Sequence, residues 1–184
     1  MRALFDYIVE PIGVRYDNEV ETDEGNSLIL NTSISDYKHV NRNARVMATP
    51  LETAVPIQVG DEVIVNHNIF RRWYNMKGEE KNSRSYMGDN KYLAQQDQVY
   101  MYRRPGGNWQ PIPGYCFIEP IENDDRFSID KEKPLVGHIR YSDGIAPVGT
   151  LIGFTPGDEY EFYVDGVRLY RVMSKFINIE YGNA

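Results

Sequence analysis

Three histidines, one cysteine and two acidic pairs are the residues of this chain best suited to chemistry, and their spacing sets each apart from a catalytic constellation. His39, His67 and His138 are scattered, with no Cys or carboxylate at the short spacing that metal sites use, so no metal site is expected. Cys116 lies in the apolar run Tyr115-Cys116-Phe117-Ile118. A single cysteine has no internal disulfide partner, and in a strand pattern it reads as a buried structural thiol. Asp61-Glu62 and Asp158-Glu159 are paired carboxylates of the kind that can divide general acid and base work. Each pair follows a turn glycine, Gly60 or Gly157, and that shared setting favours turn structure over catalysis. No nucleophile elbow and no Walker phosphate loop is present. Asn31-Thr32-Ser33 matches a glycosylation acceptor but no secretion signal accompanies it. The chain is therefore expected not to be an enzyme and to need no cofactor.

What remains is a binding feature. Residues 13–43 contain Asp17, Glu19, Glu21, Asp23 and Glu24, then Gly25, Asn26 and Ser27, then an isolated apolar triplet, Leu28-Ile29-Leu30. A connection of this length far exceeds the usual 4 to 6 residues or so, which marks it as mobile or functional. Two readings of the triplet stand side by side. It is either one more short core strand, or an apolar bait that cannot bury itself at home and waits for a partner groove.

The elements that would carry this loop are written twice. Phe5-Asp6-Tyr7-Ile8-Val9-Glu10-Pro11-Ile12 returns as Gly114-Tyr115-Cys116-Phe117-Ile118-Glu119-Pro120-Ile121. Gln58-Val59-Gly60-Asp61-Glu62-Val63 returns as Thr155-Pro156-Gly157-Asp158-Glu159-Tyr160, and residues 94–99 align with residues 172–177. Three blocks recurring in one order imply two copies of one fold, so what one copy has and the other lacks is where function is to be sought. The opening blocks are offset by 109 positions and the following strands, Arg45-Val46 and His138-Ile139, by 93, so the second copy is 16 residues shorter where the first has its long loop. Beyond the Gly-Asp turn the offset falls from 97 to 78, a second asymmetry placed in residues 75–90, which read as an exposed loop.

Strand signals dominate both copies. Residues 4–12, 45–49, 59–65 and 93–102 form the first set; residues 115–121, 138–141, 159–164, 167–172 and 176–181 form the second, with a hairpin across Asp165-Gly166. No segment holds a 3.6-residue apolar period over three turns. Both copies are expected to be small all-β barrels, joined by the Pro-Gly-Gly linker at residues 104–109.

Composition narrows the class. The 184 residues hold 27 acidic against 20 basic side chains, a net charge of −7, with no basic stripe to meet nucleic-acid phosphates. No apolar run approaches the roughly 20 residues that span a bilayer, and the start of the chain carries no signal pattern. A cytoplasmic setting, with no nucleic acid and no membrane, is the expectation.

The order of these segments resembles that of GroES-type co-chaperonins, including divergent ones encoded by bacteriophages. The segments are Tyr7-Ile8-Val9-Glu10-Pro11, the acidic stretch Glu21-Thr22-Asp23-Glu24-Gly25-Asn26-Ser27-Leu28-Ile29-Leu30, Ala44-Arg45-Val46-Met47-Ala48, Val59-Gly60-Asp61-Glu62-Val63-Ile64-Val65, and Gln98-Val99-Tyr100-Met101. The likeness covers residues 1–103 and, more weakly, 110–184. It implies an all-β chain of two tandem GroES-like irregular β-barrels, the first with a mobile loop over about residues 13–43 and the second without one. It further implies a homo-oligomeric, heptameric ring that caps a GroEL-type chaperonin, the partner that binds ATP. On that match Leu28, Ile29 and Leu30 dock on the chaperonin, and Gly25, Asn26 and Ser27 supply the turn before them. The family's roof hairpin would fall between Met47 and Val59, where only a short stretch around Leu51-Glu52-Thr53 is present. The alternative from another class is a structural phage virion or tail protein built from tandem β-barrels.

Overall fold

The computed structural model describes residues 3–16, 19–21, 27–29, 40–123, 131–157 and 159–182. The chain divides into two compact units, residues 1–108 and 109–184, and the expected linker at 104–109 spans that division. Among the described residues the protein is all-β, with about half of the chain in strands, no α-helix and only single 3-10 turns.

In the first unit the strands are β1 (Tyr7–Pro11), β2 (Glu19–Glu21), β3 (Ser27–Ile29), β4 (Asn43–Ala48), β5 (Glu62–Val65), β6 (Arg72–Tyr74), β7 (Glu80–Asn82), β8 (Tyr86–Gly88), β9 (Lys91–Ala94) and β10 (Val99–Arg103). The second unit holds β11 (Gln110–Pro111), β12 (Tyr115–Glu122), β13 (Glu132–Tyr141), β14 (Leu151–Phe154), β15 (Tyr160–Val164), β16 (Val167–Met173) and β17 (Ile177–Tyr181).

The two units repeat one another strand for strand. The main sheet of the first runs β10-β5-β4-β1-β9-β8, and that of the second runs β17-β14-β13-β12-β16-β15. Registers agree residue by residue. Val9 opposes Val46 as Ile118 opposes Ile139, and Tyr7 opposes Ala94 as Cys116 opposes Val172. Even the irregularities coincide: the ladder slips between Ile8 and Val9 and again between Phe117 and Ile118, at equivalent positions. The outer pairs slip alike, between Val99 and Met101 against β5 and between Gly153 and Phe154 against β17. Bulges bend a strand and increase its twist, so both sheets curl at the same places.

These registers correct one block of the sequence repeat. Ala44 opposes Val63 as Gly137 opposes Ile152, so the counterpart of the Gly60 turn is Gly149, not Gly157. Gly60 N donates to Val46 O at 2.8 Å and Gly149 N to Ile139 O at 2.7 Å, with φ of +93° and +89°. The Gly-Asp pair at 157–158 matched in residue type but belongs to the next connection. With this register the offsets run 109, 93, 89 and 78, so the second copy is shorter by 16, 4 and 11 residues in successive connections.

The expectation of closed barrels is also corrected. No sheet closes among the described residues: in one order β8 is an end strand that pairs with β9 and not with β10, and in the other β15 and β17 stand at opposite ends. Closure requires the end strands to pair with each other. β8 is three residues long and already loses register against β9 between Tyr86 and Gly88, which leaves little edge to pair.

Each unit buries its own core. β4 alternates exposed and buried residues, placing Ala44, Val46 and Ala48 inside with Arg45 and Met47 outside, the period-2 pattern of a sheet with one wet face. Tyr7, Val9, Val63, Phe70, Tyr92 and Met101 fill the first interior, and Phe70 meets Tyr92 edge to face at 4.9 Å. Ile118, Ile139, Ile152, Phe154 and Val172 cluster in the second. The hairpin across Asp165-Gly166 forms as its composition predicts, both residues having positive φ. Residues 75–90, expected to be a loop, instead contain β7 and β8, the first exposed on every residue and so carrying no alternation to read.

Candidate docking arm and its stem

The long connection between β1 and β4 leaves the first sheet at a tightly bonded stem. Ile12 N donates to Asn43 O at 2.9 Å, Asn41 N donates to Arg15 O at 2.9 Å, and Tyr16 bridges Val40. Asn41 completes the stem by donating its side-chain amide to Ile12 O at 2.6 Å and Val14 O at 2.9 Å, while its Oδ1 accepts from Asn43 N. Tyr16 and Val40 are both buried, so the chain is pinned on both sides before the connection departs.

Beyond the stem, β2 and β3 pair antiparallel, with Glu19 opposite Ile29, Val20 opposite Leu28 and Glu21 opposite Ser27. This ribbon is separate from both large sheets. Ser27, Leu28 and Ile29 of the proposed site thus lie on β3, whereas Gly25, Asn26 and Leu30 fall outside the described residues, as does most of the 13–43 segment.

The second insertion of the first copy stands next to this stem. After β5 and a 3-10 turn at His67–Ile69, capped by the Asn66 side chain accepting from Asn68 N, the chain forms the β6–β7 hairpin. Its turn is held by Asn75 Oδ1, which accepts from Lys77 N and Glu79 N, and it displays Trp73, Tyr74 and a fully exposed Met76. The hairpin leaves no readable pattern in the sequence because its strands are three residues each and, Arg72 apart, exposed.

The residues capable of chemistry are engaged elsewhere. Asp61 is buried, accepts from Gln58 N at 2.7 Å and pairs with Arg104; Glu62 pairs with Arg103 at 2.7 Å. The structural counterpart of Asp61 is Thr150, while Asp158 lies outside the described residues and Glu159 accepts from Gly157 N at 2.8 Å. His67 is lowered to about 4 by burial and by the nearby cations Arg42 and Arg71, and is neutral at pH 7. His138 Nδ1 lies 3.1 Å from Gly149 O, and His39 is outside the described residues.

Cys116 is buried, and its thiol is pushed up, chiefly by burial, away from the thiolate form a nucleophile needs. Beside it, Asp143 accepts from Ser174 Oγ at 2.7 Å and Gly114 N at 2.8 Å. Burial alone would raise the Asp143 carboxyl; donors from Ser174, Gly114, Ile145 and Cys116 outweigh it and hold the group below its ordinary range. This Cys-Ser-Asp cluster ties the start of β12 to the 3-10 turn after β16, a structural task. Among the described residues no group of three or more His, Cys, Asp or Glu could hold a metal, and no helix is long and apolar enough to cross a membrane.

No protein-family model matches the chain, and no curated protein matches it.

Proposed function

We propose that this chain is a co-chaperonin of the GroES type, built from two curled sheets that stand for the family's irregular barrels, of which only the first carries a docking arm. The observation that carries the reading is asymmetry on a duplicated frame. Strand order, register and the bulges at the β1–β4 and β5–β10 pairs agree between units, yet the connection leaving β1 is 16 residues longer in the first and bears the Leu28-Ile29-Leu30 triplet. That, among the described residues, Ser27–Ile29 pairs with β2 and with neither large sheet favours the bait reading over the core-strand reading.

The energetics suit a cap that must let go. Burying three aliphatic side chains contributes about 1.5 to 3 kcal/mol each, and ordering the surrounding chain offsets most of that. A single arm is weak. Several arms on one ring bind together and release together when the partner changes shape, which fits a cycle driven by a chaperonin's ATP. A seven-membered ring in the cytoplasm, with one arm per chain facing a seven-fold partner, is the assembly this reading requires.

The test is native mass of the assembly together with ATP-dependent co-elution with a GroEL-type chaperonin, for the natural chain and for Leu28→Asp with Ile29→Asp. The natural chain should assemble and co-elute; the double variant should assemble and fail to co-elute. A monomer that never co-elutes overturns the proposal and favours a structural phage component. A double variant that does not fold returns the triplet to the core.

A further inference from the structure

The two insertions that distinguish the first copy from the second are fastened to each other at their bases. Arg15, in the stem of the long connection, donates Nε and Nη2 to Phe70 O at 3.2 and 2.7 Å, and Nη1 to Asn82 Oδ1 at 2.8 Å. Phe70 precedes β6 and Asn82 ends β7, so one guanidinium grips both legs of the hairpin. Next to it in sequence, the Tyr16 hydroxyl accepts from Arg72 N at 2.9 Å, and the Arg72 guanidinium lies 4.3 Å from the centre of the Tyr16 ring. Arg15 also sits over Tyr92 of β9 at 5.5 Å, and Ser83 Oγ donates to Ile69 O at 2.6 Å, tying the returning leg to the sheet.

We infer that the β6–β7 hairpin is a positioning strut: through Arg15, Tyr16, Arg72 and Asn82 it fixes the stem formed by Arg15, Tyr16, Val40 and Asn41, from which the long connection departs. Three facts support a positioning task over mere filling. The clasp joins residues 55 to 67 positions apart, between two segments that are both extended in the copy with the long connection and both curtailed in the copy without it. The second copy crosses from β14 to β15 without a hairpin, so the fold does not need one. The clasp also acts on Tyr16, the residue whose bridge to Val40 closes the stem. A planar guanidinium with several fixed donors suits this task, since it holds an angle as well as a distance.

The role of the strut in partner binding rests on the docking-arm reading above; the clasp itself does not, and the two are separable. Amide exchange is to be followed in the natural chain, in Tyr16→Phe with Asn82→Ala, and in a chain with residues 71–84 replaced by a short Gly-Ser turn. Chaperonin affinity with ATP is measured alongside. The expected result is exchange at Asn41, whose N–H closes the stem on Arg15 O, about tenfold faster in both variants, the effect of losing one or two net hydrogen bonds. Val46 and Ile139, inside the sheets, should stay as protected as before. Affinity for the chaperonin should fall several-fold at unchanged ring mass. Unchanged exchange at Asn41 in the side-chain variant overturns the inference, as does equal acceleration at Val46, which would make the hairpin a general support of the sheet. Faster exchange at Asn41 in a chain whose natural form binds no chaperonin would retain the strut and dismiss the docking arm.

Discussion

Set against each other, the two units show which parts of this architecture are frame and which are attachment. The frame is the six-strand order with its matched bulges and its positive-φ turn glycine, and it survives a sequence divergence in which Tyr7 becomes Cys116 and Ala44 becomes Gly137. The attachments are the long connection and the β6–β7 hairpin, and both are on the same copy. Repeats that diverge keep the hydrogen-bond geometry that closes their cores and spend their freedom in connections, where added chain costs little closure entropy.

Four experiments press on this comparison. The largest effect is expected at the one place where the frames are not interchangeable. A Cβ added at Gly137 would lie 2.5 Å from both Glu119 O and Ile118 Cγ2, closer than atoms can stand, although the equivalent Ala44 is accommodated. Gly137→Ala should destabilise the second unit by about 3 kcal/mol, the upper range for overpacking, measured by denaturant melts of the chain. Ala44→Gly should cost the first only about 1 kcal/mol. Equal small losses would mean that the strands at Gly137 are free to part.

Next come the turn glycines. Gly60→Ala and Gly149→Ala place a side chain at φ near +90° with no steric neighbour, so each should cost about 1 to 2 kcal/mol through backbone strain alone. Their near-equality is the sharp expectation; a marked difference would break the corrected register. Ser174→Ala removes a donor to Asp143 and should lower the stability of the second unit by about 1 kcal/mol. Its counterpart, Gln96, bonds the carbonyls of Phe5 and Glu52 instead, so the two copies fasten the same corner by different means.

Acid should separate the units last and most gently. His67 has its pKa near 4 when folded against an ordinary 6.5, so as pH falls the unfolded chain takes up the proton first. The first unit should lose stability between about pH 6.5 and 4, and His67→Gln should flatten that slope. Asp143 is also depressed, from an ordinary 3.8, so its contribution is intact above that value and is lost only as pH falls further. Unit-resolved melts at pH 4.5 and 7 would show the first unit responding while the second does not.

Local chemistry made much of this legible. The Asp165-Gly166 hairpin follows from two residues that tolerate positive φ between apolar strands, and the opening and closing blocks of the repeat were in true register because Glu-Pro-Ile and the 3-10 turn before the last strand recur. The middle block slipped by eight residues because residue identity at Gly157 outweighed position, and β14 was missed with it. β6, β7 and β8 were illegible for another reason: short strands wet on both faces carry no hydrophobic period. Of the candidate site, composition identified Leu28-Ile29-Leu30 and the excess length around it, but not the stem or the strut.

By itself, then, the chain of residues determined that there are two all-β copies and that the first carries a long acidic connection with an apolar triplet, because periodicity, turn residues and internal duplication are local quantities. Only the tertiary structure decided that the sheets stay open, that Gly149 answers Gly60, and that Arg15 reaches Phe70 and Asn82 across 55 and 67 residues. Those are matters of which distant hydrogen-bonding groups meet, and no short-range pattern records them.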